Sequence, residues 1–124
     1  MAGIRDLKER TRRFAVRIVR LCRSLPRTME GKVIGSQLLR CGTSVAANYR
    51  AVCRSRSRAE FAAKLGIVIE EADERVFWLE LLIETGMVSR QQLQELLVEA
   101  TELVAIFVAS RQTVMKPAAA ADVS

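Results

Sequence analysis

Residues Gln37 to Phe61 read QLLRCGTSVAANYRAVCRSRSRAEF and carry the clearest helix signals of the chain. The first half of this stretch is rich in small residues: Gly42, Ser44, Ala46 and Ala47. A glycine in a helix interior costs about 1 kcal/mol relative to alanine, so Gly42 indicates a close crossing of two helices. The second half contains Ser57 followed three residues later by Glu60, a capping-box pattern that begins a helix. The stretch therefore predicts one helix that ends and another that begins shortly after it.

Hydrophobic residues recur at spacings of three and four on both sides of this stretch, which predicts four amphipathic helices. We place them at residues 4–24, 32–53, 58–85 and 90–116. Pro26 follows the first helix, Gly86 ends the third, and a second capping box, Ser89 with Gln92, begins the fourth. Four such helices with short connections predict an all-α fold, an antiparallel up-and-down four-helix bundle.

Each predicted helix has a core stripe, and the last two helices have a second apolar side. In the first two helices the predicted core positions are Ile4, Leu7, Thr11, Phe14, Ile18, Leu21 and Leu25, then Ile34, Leu38, Cys41, Val45, Asn48 or Tyr49, and Val52. In the last two they are Phe61, Leu65, Val68, Ala72, Val76, Leu79 and Ile83, then Leu93, Leu97, Ala100, Val104 and Phe107. Phe77, Leu81, Val98 and Ile106 lie outside these stripes. A helix that is apolar on two sides needs a second partner, so we expect these four residues in contacts between copies of a homo-oligomer.

The 124 residues suffice for one domain, which we expect over residues 1–116, with a disordered tail at residues 117–124. Charge is divided unevenly along the chain. Residues 1–58 hold 15 Lys and Arg against three Asp and Glu, a net charge of +12. Residues 59–124 hold five against 11, a net charge of −6. Such polarity predicts that the chain meets either a polyanion or another copy of itself.

Several classes of function are disfavoured by the composition. The chain has no His, which removes the commonest general base and metal ligand. Its three cysteines lack metal or disulfide spacing, which indicates reduced thiols and a cytoplasmic location. Neither a signal peptide nor an apolar run long enough for a membrane span is recognisable. Glu70, Glu71 and Glu74 could form a metal-binding carboxylate cluster, but a solvated acidic face is the simpler interpretation. We therefore expect a non-enzymatic protein without cofactor or metal.

The arginines are the main candidates for a binding site. Those after the second predicted helix are Arg50, Arg54, Arg56 and Arg58, and the first helix adds a second stripe of Arg12, Arg20 and Arg23. Cations beside the electropositive start of the third helix violate the usual electrostatic preference. A helix N-terminus together with forked guanidinium groups suits phosphate. Since Tyr49 is the only aromatic residue nearby, a nucleic acid would be bound through backbone phosphates and not by base stacking.

Two other interpretations of the arginines stay open. The basic first half could lie beside the acidic second half, within one subunit or across an interface, where exposed ion pairs contribute about 0–1 kcal/mol each. The basic surface could also dock an acidic partner protein. The leading expectation is binding of RNA or DNA.

The central segment resembles the bacterial four-helix bundle protein family, which includes proteins encoded in intervening sequences of 23S rRNA genes. This family is related to the accessory protein of diversity-generating retroelements. The residues that carry the resemblance are Gln37, Arg40, Ser44 to Asn48, Arg56, Ser57, Glu60, Phe61, Leu65, Gly66, Glu71 and Trp78 to Leu81. The resemblance extends from Leu7 to about Val108. It implies an up-and-down bundle that assembles as a homo-oligomer, with a pentameric ring expected, and the retroelement relative is a basic pentamer that binds nucleic acid.

The sequence departs from the family pattern after Asn48. Many relatives read Asn-Ile-Ala-Glu-Gly there, whereas this chain reads Asn48-Tyr49-Arg50-Ala51-Val52. An acidic residue is missing at position 51, and Arg50 makes the segment more basic. The change favours a polyanionic partner. Any role that this glutamate has in relatives is not expected of this chain, which has Ala51 there.

Overall fold

A computed structural model describes residues 4–116 of the chain, with side chains from Asp6 onward. The described residues form four helices and no strand: α1 (Ile4–Ser24), α2 (Met29–Val52), α3 (Arg58–Glu84) and α4 (Arg90–Met115). The all-α four-helix bundle predicted from the sequence is confirmed. The predicted tail at residues 117–124 and the side chain of Ile4 lie outside the described residues.

Consecutive helices run antiparallel, as pairs of side-chain contacts show. Between α2 and α3, Arg40 contacts Glu74, whereas Ser44, one turn further along α2, bonds Glu71, one turn earlier on α3. The contacts between α3 and α4 reverse in the same way, Arg58 to Val114 and Arg111 to Ala62. The helices α1 and α4 approach each other at far fewer positions than the three consecutive pairs do. The bundle therefore has one loosely packed seam, between its first and last helices.

The connection between α1 and α2 is shorter than the sequence suggested. We expected α2 to begin near Lys32, but it begins at Met29, because the Thr28 hydroxyl accepts a hydrogen bond from the backbone N–H of Gly31 at 3.1 Å. A Cβ atom added to Gly31 would lie 2.1 Å from the carbonyl oxygen of Pro26. Only glycine fits at this position, where the start of α2 passes close to the backbone of Pro26.

The other helix ends agree with the capping signals. Ser57 accepts a hydrogen bond from the Glu60 N–H at 3.0 Å, and Ser89 forms a full capping box with Gln92. At the end of α3, Gly86 has φ of 74°, the left-handed conformation that favours glycine. These caps fix where α3 and α4 begin and where α3 ends.

Except at Leu21, the core positions predicted for α1 and α2 are confirmed where their side chains are described, with Tyr49 taking the position left open between it and Asn48. Phe14, Ile18 and Val45 are fully or almost fully buried. The buried member of the Asn48 and Tyr49 pair is Tyr49, 2% exposed, whose ring lies 5.5 Å from that of Phe107. Leu21 is half-buried. A Cβ atom on Gly42 would lie 2.9 Å from Ile18, which confirms the close helix crossing at this glycine.

The predicted stripes of α3 and α4 were partly wrong. The structure half-buries Phe61, Val76, Ile83, Leu97 and Val104. Their neighbours Ala62, Arg75, Leu82, Leu96 and Leu103 take the core positions. From Leu65 onward in α3, and throughout α4, the buried positions alternate by three and four residues, the heptad spacing that keeps one seam facing its partners. Where two adjacent residues are apolar, as at Leu96 and Leu97, the sequence allows either register.

Arg75 is the unexpected member of the core. Its side chain is fully buried, 0% exposed, and its guanidinium lies 3.8 Å from the centre of the Phe14 ring of α1. None of its three nitrogen atoms has a hydrogen-bond partner among the described residues. Burial lowers the pKa of Arg75 to about 10, so the side chain still carries its charge at neutral pH.

Candidate nucleic-acid interface

The outer side of α1 carries a continuous basic face, formed by Arg12, Arg13, Arg17, Arg20 and Arg23. All five side chains are exposed, since the apolar stripe of α1 directs the opposite side of the helix into the core. Four of these arginines surround Val16 in a shallow groove of about 370 Å³, and Val16 itself is 43% exposed. The groove presents forked hydrogen-bond donors around a small apolar centre.

A second cleft lies between α1 and α2 and continues the basic face. It has a volume of about 420 Å³ and is lined by Lys8, Glu9, Arg12, Ala46, Ala47 and Arg50. The cleft brings together Arg12 and Arg50, which the sequence placed in separate stripes. Ala46 and Ala47 belong to its lining, so part of the small-residue run predicted to mediate helix crossing opens a cleft instead. Arg23 lies at the other end of α1, where it shares a third cleft with Arg27 and Lys32.

The basic face has little neutralising charge nearby. Glu9 lies 4.0 Å from Arg12, one turn away on the same helix, and the Arg12 side chain remains 77% exposed. Within the described part of the chain, no carboxylate lies within 4.0 Å of Arg13, Arg17, Arg20 or Arg23. The face therefore keeps most of its positive potential for an external partner.

The connection between α2 and α3 holds the other predicted arginines. Arg54 and Arg56 are exposed. Arg58 is exposed as well, but it donates hydrogen bonds to the carbonyl oxygens of Val114 and Lys116, at 2.8 and 3.2 Å. These carbonyls end α4, where a cation interacts favourably with the helix dipole. Arg58 thus stabilises the end of a neighbouring helix.

The start of α3 is partly occupied by its own side chains. Glu60 accepts a hydrogen bond from the backbone N–H of Arg56 at 2.6 Å, and Ser57 accepts one from Glu60. This arrangement supplies negative charge at the electropositive helix end. It leaves fewer free N–H groups for a phosphate than the sequence suggested, so the groove on α1 is the better-formed anion surface.

Two further arginines hold the bundle together. Arg10 of α1 donates to Glu99 of α4 at 2.8 and 3.0 Å and to Glu102 at 2.9 Å, which raises the pKa of Arg10. Arg40 of α2 contacts Glu71 and Glu74 of α3. These ion pairs agree with the interpretation that basic helices lie beside acidic helices within one subunit. Only a minority of the arginines in the described part of the chain form such pairs.

Arg40 is part of a polar network between α2 and α3. Arg40 also donates to Gln37 at 3.2 Å, and the indole of Trp78 donates to Glu74 at 3.1 Å. Glu71, at the other end, accepts a hydrogen bond from Ser44. All of these residues except Glu74 are among those that carry the family resemblance, and the network as a whole joins two helices.

The four residues predicted at subunit contacts fall into two groups. Phe77 of α3 and Val98 of α4 are 53% and 50% exposed. Leu81 and Ile106 are half-buried and pack against the core of their own subunit. Ile67 of α3, 52% exposed, was not predicted, because it lies beside Val68 in an apolar run in which the facing residue is ambiguous.

Arg13, Arg17 and Lys8 also extend the site beyond its predicted residues. Arg13, Arg17 and Arg20 recur at spacings of four and three, which places them on one side of a helix. That signal is present in the sequence. The contribution of Lys8 depends on how α1 packs on α2, which the sequence does not specify.

The described residues contain neither a metal-binding cluster nor a membrane-spanning helix. Between residues 4 and 116, no group of three or more acidic or cysteine side chains is placed to hold a metal ion. In the same range, no helix combines the length and the hydropathy that crossing a membrane requires. The three cysteines are free, and burial raises the pKa of the Cys41 thiol to about 12.

The fold and the site define an all-α four-helix bundle with one strongly basic face. The model of the 23S rRNA-intervening sequence protein family matches residues 6–109, and the chain belongs to this family. It is also similar to a solved structure from Bacteroides thetaiotaomicron VPI-5482, a protein with unknown function from the S23 ribosomal protein family. The identity is 37% and the TM-score 0.81, over 88% of this chain and 97% of that one. Among curated proteins there is no significant match.

Proposed function

We propose that this protein is a non-enzymatic cytoplasmic module that binds the phosphate backbone of RNA or DNA through the basic face of α1 and the adjoining cleft with Arg50. The observation that carries the proposal is the set of five exposed arginines on one helix side, with Glu9, 4.0 Å from one of them, as the only carboxylate within that distance in the described part of the chain. Arginine is well suited to phosphate because its planar fork can donate two parallel hydrogen bonds.

The dimensions of the basic face suit several phosphates at once. Arg12 and Arg23 are 11 residues apart on a continuous helix, a length of about 17 Å. Phosphates of one DNA strand are spaced by about 3.4 Å along the helix axis, so about five lie within that length. An extended row of contacts to backbone phosphates binds with little sequence preference.

The test is a salt-dependent binding titration with RNA and DNA of the same sequence. The logarithm of the binding constant is expected to fall with the logarithm of salt concentration with a slope of about −2 to −4, as for three to five phosphate contacts. In the triple variant Arg12→Gln, Arg17→Gln, Arg20→Gln the slope should be shallower by about two to three. The control triple variant Arg27→Gln, Arg90→Gln, Lys116→Gln removes the same charge from exposed positions outside the basic face. Equal losses in the two variants, or no binding at low salt, would refute the proposal.

A second candidate function is docking of an acidic partner protein, and Val16 supports it. A sugar-phosphate backbone offers little that is apolar to this side chain, whereas a protein surface does. The discriminating experiment is recovery of one acidic protein in a fixed ratio after nuclease treatment. Under this alternative, Val16→Ser abolishes recovery. Under the nucleic-acid proposal, the same variant binds RNA and DNA as the unaltered chain does.

We also propose self-assembly through the outer sides of α3 and α4, where Phe77 and Val98 are half exposed. The pentamer implied by the resemblance is the form to test. Light scattering should report several subunits for the unaltered chain and fewer for Phe77→Ser with Val98→Ser. Val33→Ser on α2 is the matched control, because Val33 is also exposed, by 54%. A monomer at micromolar concentration would contradict self-assembly and leave the binding proposal intact.

A further inference from the structure

The buried charge of Arg75 lies outside the proposed binding surface. Its guanidinium is enclosed by α1 on one side, where Phe14 stacks on it at 3.8 Å. The titratable groups that face it are the Cys41 thiol of α2 and the Glu99 carboxylate of α4. Glu99 is bound by two hydrogen bonds from Arg10. Arg75 consequently has no anion of its own within the described part of the chain.

An enclosed guanidinium without hydrogen bonds is strongly unfavourable. Burial of an unpaired charge costs far more than a lost neutral hydrogen bond. Stacking on an aromatic ring returns only part of that cost. An anion that reached the three nitrogen atoms would relieve this cost.

The seam between α1 and α4 is where a route to these atoms would open. Phe14 of α1 stacks on the guanidinium and Glu99 of α4 acts on it electrostatically, so both helices of this seam face Arg75. The two helices approach each other at few positions. The ion pairs of Arg10 with Glu99 and Glu102 join them across this line. An outward movement of α1 away from α4 would break these ion pairs and open the seam.

We propose that the seam between α1 and α4 is the entrance to an internal site for one small oxyanion, a carboxylate or a phosphate, and that Arg75 binds it. The fork geometry of the guanidinium matches both groups. Phe14 forms the apolar wall of the site, which favours a compact anion over a large hydrated one. The inference is independent of nucleic-acid binding, because Arg75 is buried and takes no part in the basic face.

The test compares thermal unfolding of the full chain in chloride, acetate and inorganic phosphate at equal ionic strength. Acetate or phosphate should raise Tm by about 5 °C over chloride at saturation, and calorimetry should give one anion per chain. Acetate alone would indicate a carboxylate ligand, and phosphate alone a phosphate ligand. Arg75→Met should abolish the rise, and Arg75→Lys should reduce it, because lysine keeps the charge without the fork.

The control variant is Arg90→Gln, which removes an exposed arginine at the start of α4 and should respond to anions as the unaltered chain does. An equal rise in Arg75→Met, or no rise in the unaltered chain, overturns the proposal. Should Arg75→Met fail to fold, anion binding is measured by NMR from the Nε–H resonance of Arg75. This resonance is assigned by its loss in Arg75→Lys. Movement of that resonance to saturation with added anion supports the site, and an unchanged resonance overturns it.

Discussion

The hydroxyl of Ser44 on α2 donates a 2.8 Å hydrogen bond to the carboxylate of Glu71 on α3. The same carboxylate lies 3.4 Å from Arg40, and its side chain is only 22% exposed. Glu71 therefore receives two donors from the facing helix. A half-buried carboxylate with charged and neutral donors is a strong connection between helices.

Replacement of Glu71 by alanine should destabilise the bundle by about 1–2 kcal/mol, because the Ser44 hydroxyl loses its interhelical partner and Arg40 loses one of two acidic partners. Urea unfolding followed by circular dichroism measures the change. Glu70→Ala is the matched control, since Glu70 is exposed and should change stability by less than about 0.5 kcal/mol. If the two variants are equally stable, the connection contributes nothing to folding.

Gly31→Ala should destabilise the protein by about 2 kcal/mol or more, although alanine normally favours helices. The added methyl group would overlap the carbonyl oxygen of Pro26, which is backbone and cannot move aside freely. Gly66→Ala provides the comparison, because its Cβ would meet only the flexible Arg111 side chain at 3.4 Å. We expect Gly66→Ala to unfold at equal or higher urea concentration than the unaltered chain. If Gly66→Ala were less stable than Gly31→Ala, the close approach of Gly31 to Pro26 would not determine stability.

Arg58→Gln should lower the free energy of unfolding by about 1 kcal/mol, because two carbonyl oxygens at the end of α4 lose a charged donor. Arg56→Gln removes the same charge from an exposed side chain and should leave stability nearly unchanged. Thermal melts of the two variants give the comparison. Equal melting temperatures would mean that the contacts of Arg58 with α4 are not maintained in solution.

Stability should decline in alkaline solution through Cys41. Burial raises its pKa to about 12, while an unfolded cysteine ionises near 8.5. The contribution is complete below pH of about 8.5 and is lost as the pH rises towards 12, because the unfolded state releases its proton first. Cys41→Val should flatten the decline between pH 8.5 and 10 in urea titrations. Burial also raises the pKa of Tyr49, whose contribution decreases only above pH of about 10.

The sequence predicted the helices well because their ends carry local chemistry. Ser57, Ser89 and Gly86 determine caps by interactions within a few residues. The start of α2 was predicted three residues late because Gly31, a poor helix former, lies in the first turn of the helix. The predicted core register of α3 was wrong at Arg75 and Val76, because hydropathy favours burial of the valine and the structure buries the arginine. The burial of Arg75 depends on Phe14 of α1, 61 positions earlier, and no local pattern encodes that contact.

The candidate site was predictable to a similar extent. The spacing of the arginines along α1 predicted their exposure, because residues three and four positions apart lie on the same side of a helix. It did not reveal that Arg12 and Arg50 share a cleft, or that Arg58 is bound to the end of α4. Both depend on which helices become neighbours and on their relative height in the bundle.

The order of the helices has an electrical consequence. Because α1 and α2 are neighbours, and α3 and α4 are neighbours, the described side chains of residues 6–58 (14 Lys and Arg against three Asp and Glu, net +11) and of residues 59–116 (five against 10, net −5) occupy opposite sides of the bundle. The molecule thus has a large dipole moment directed across its long axis. In dilute salt, this dipole would rotate the α1 side towards a polyanion before contact, so that orientation as well as attraction accelerates encounter. Salt would slow the encounter by screening this dipole over about 10 Å at 0.1 M.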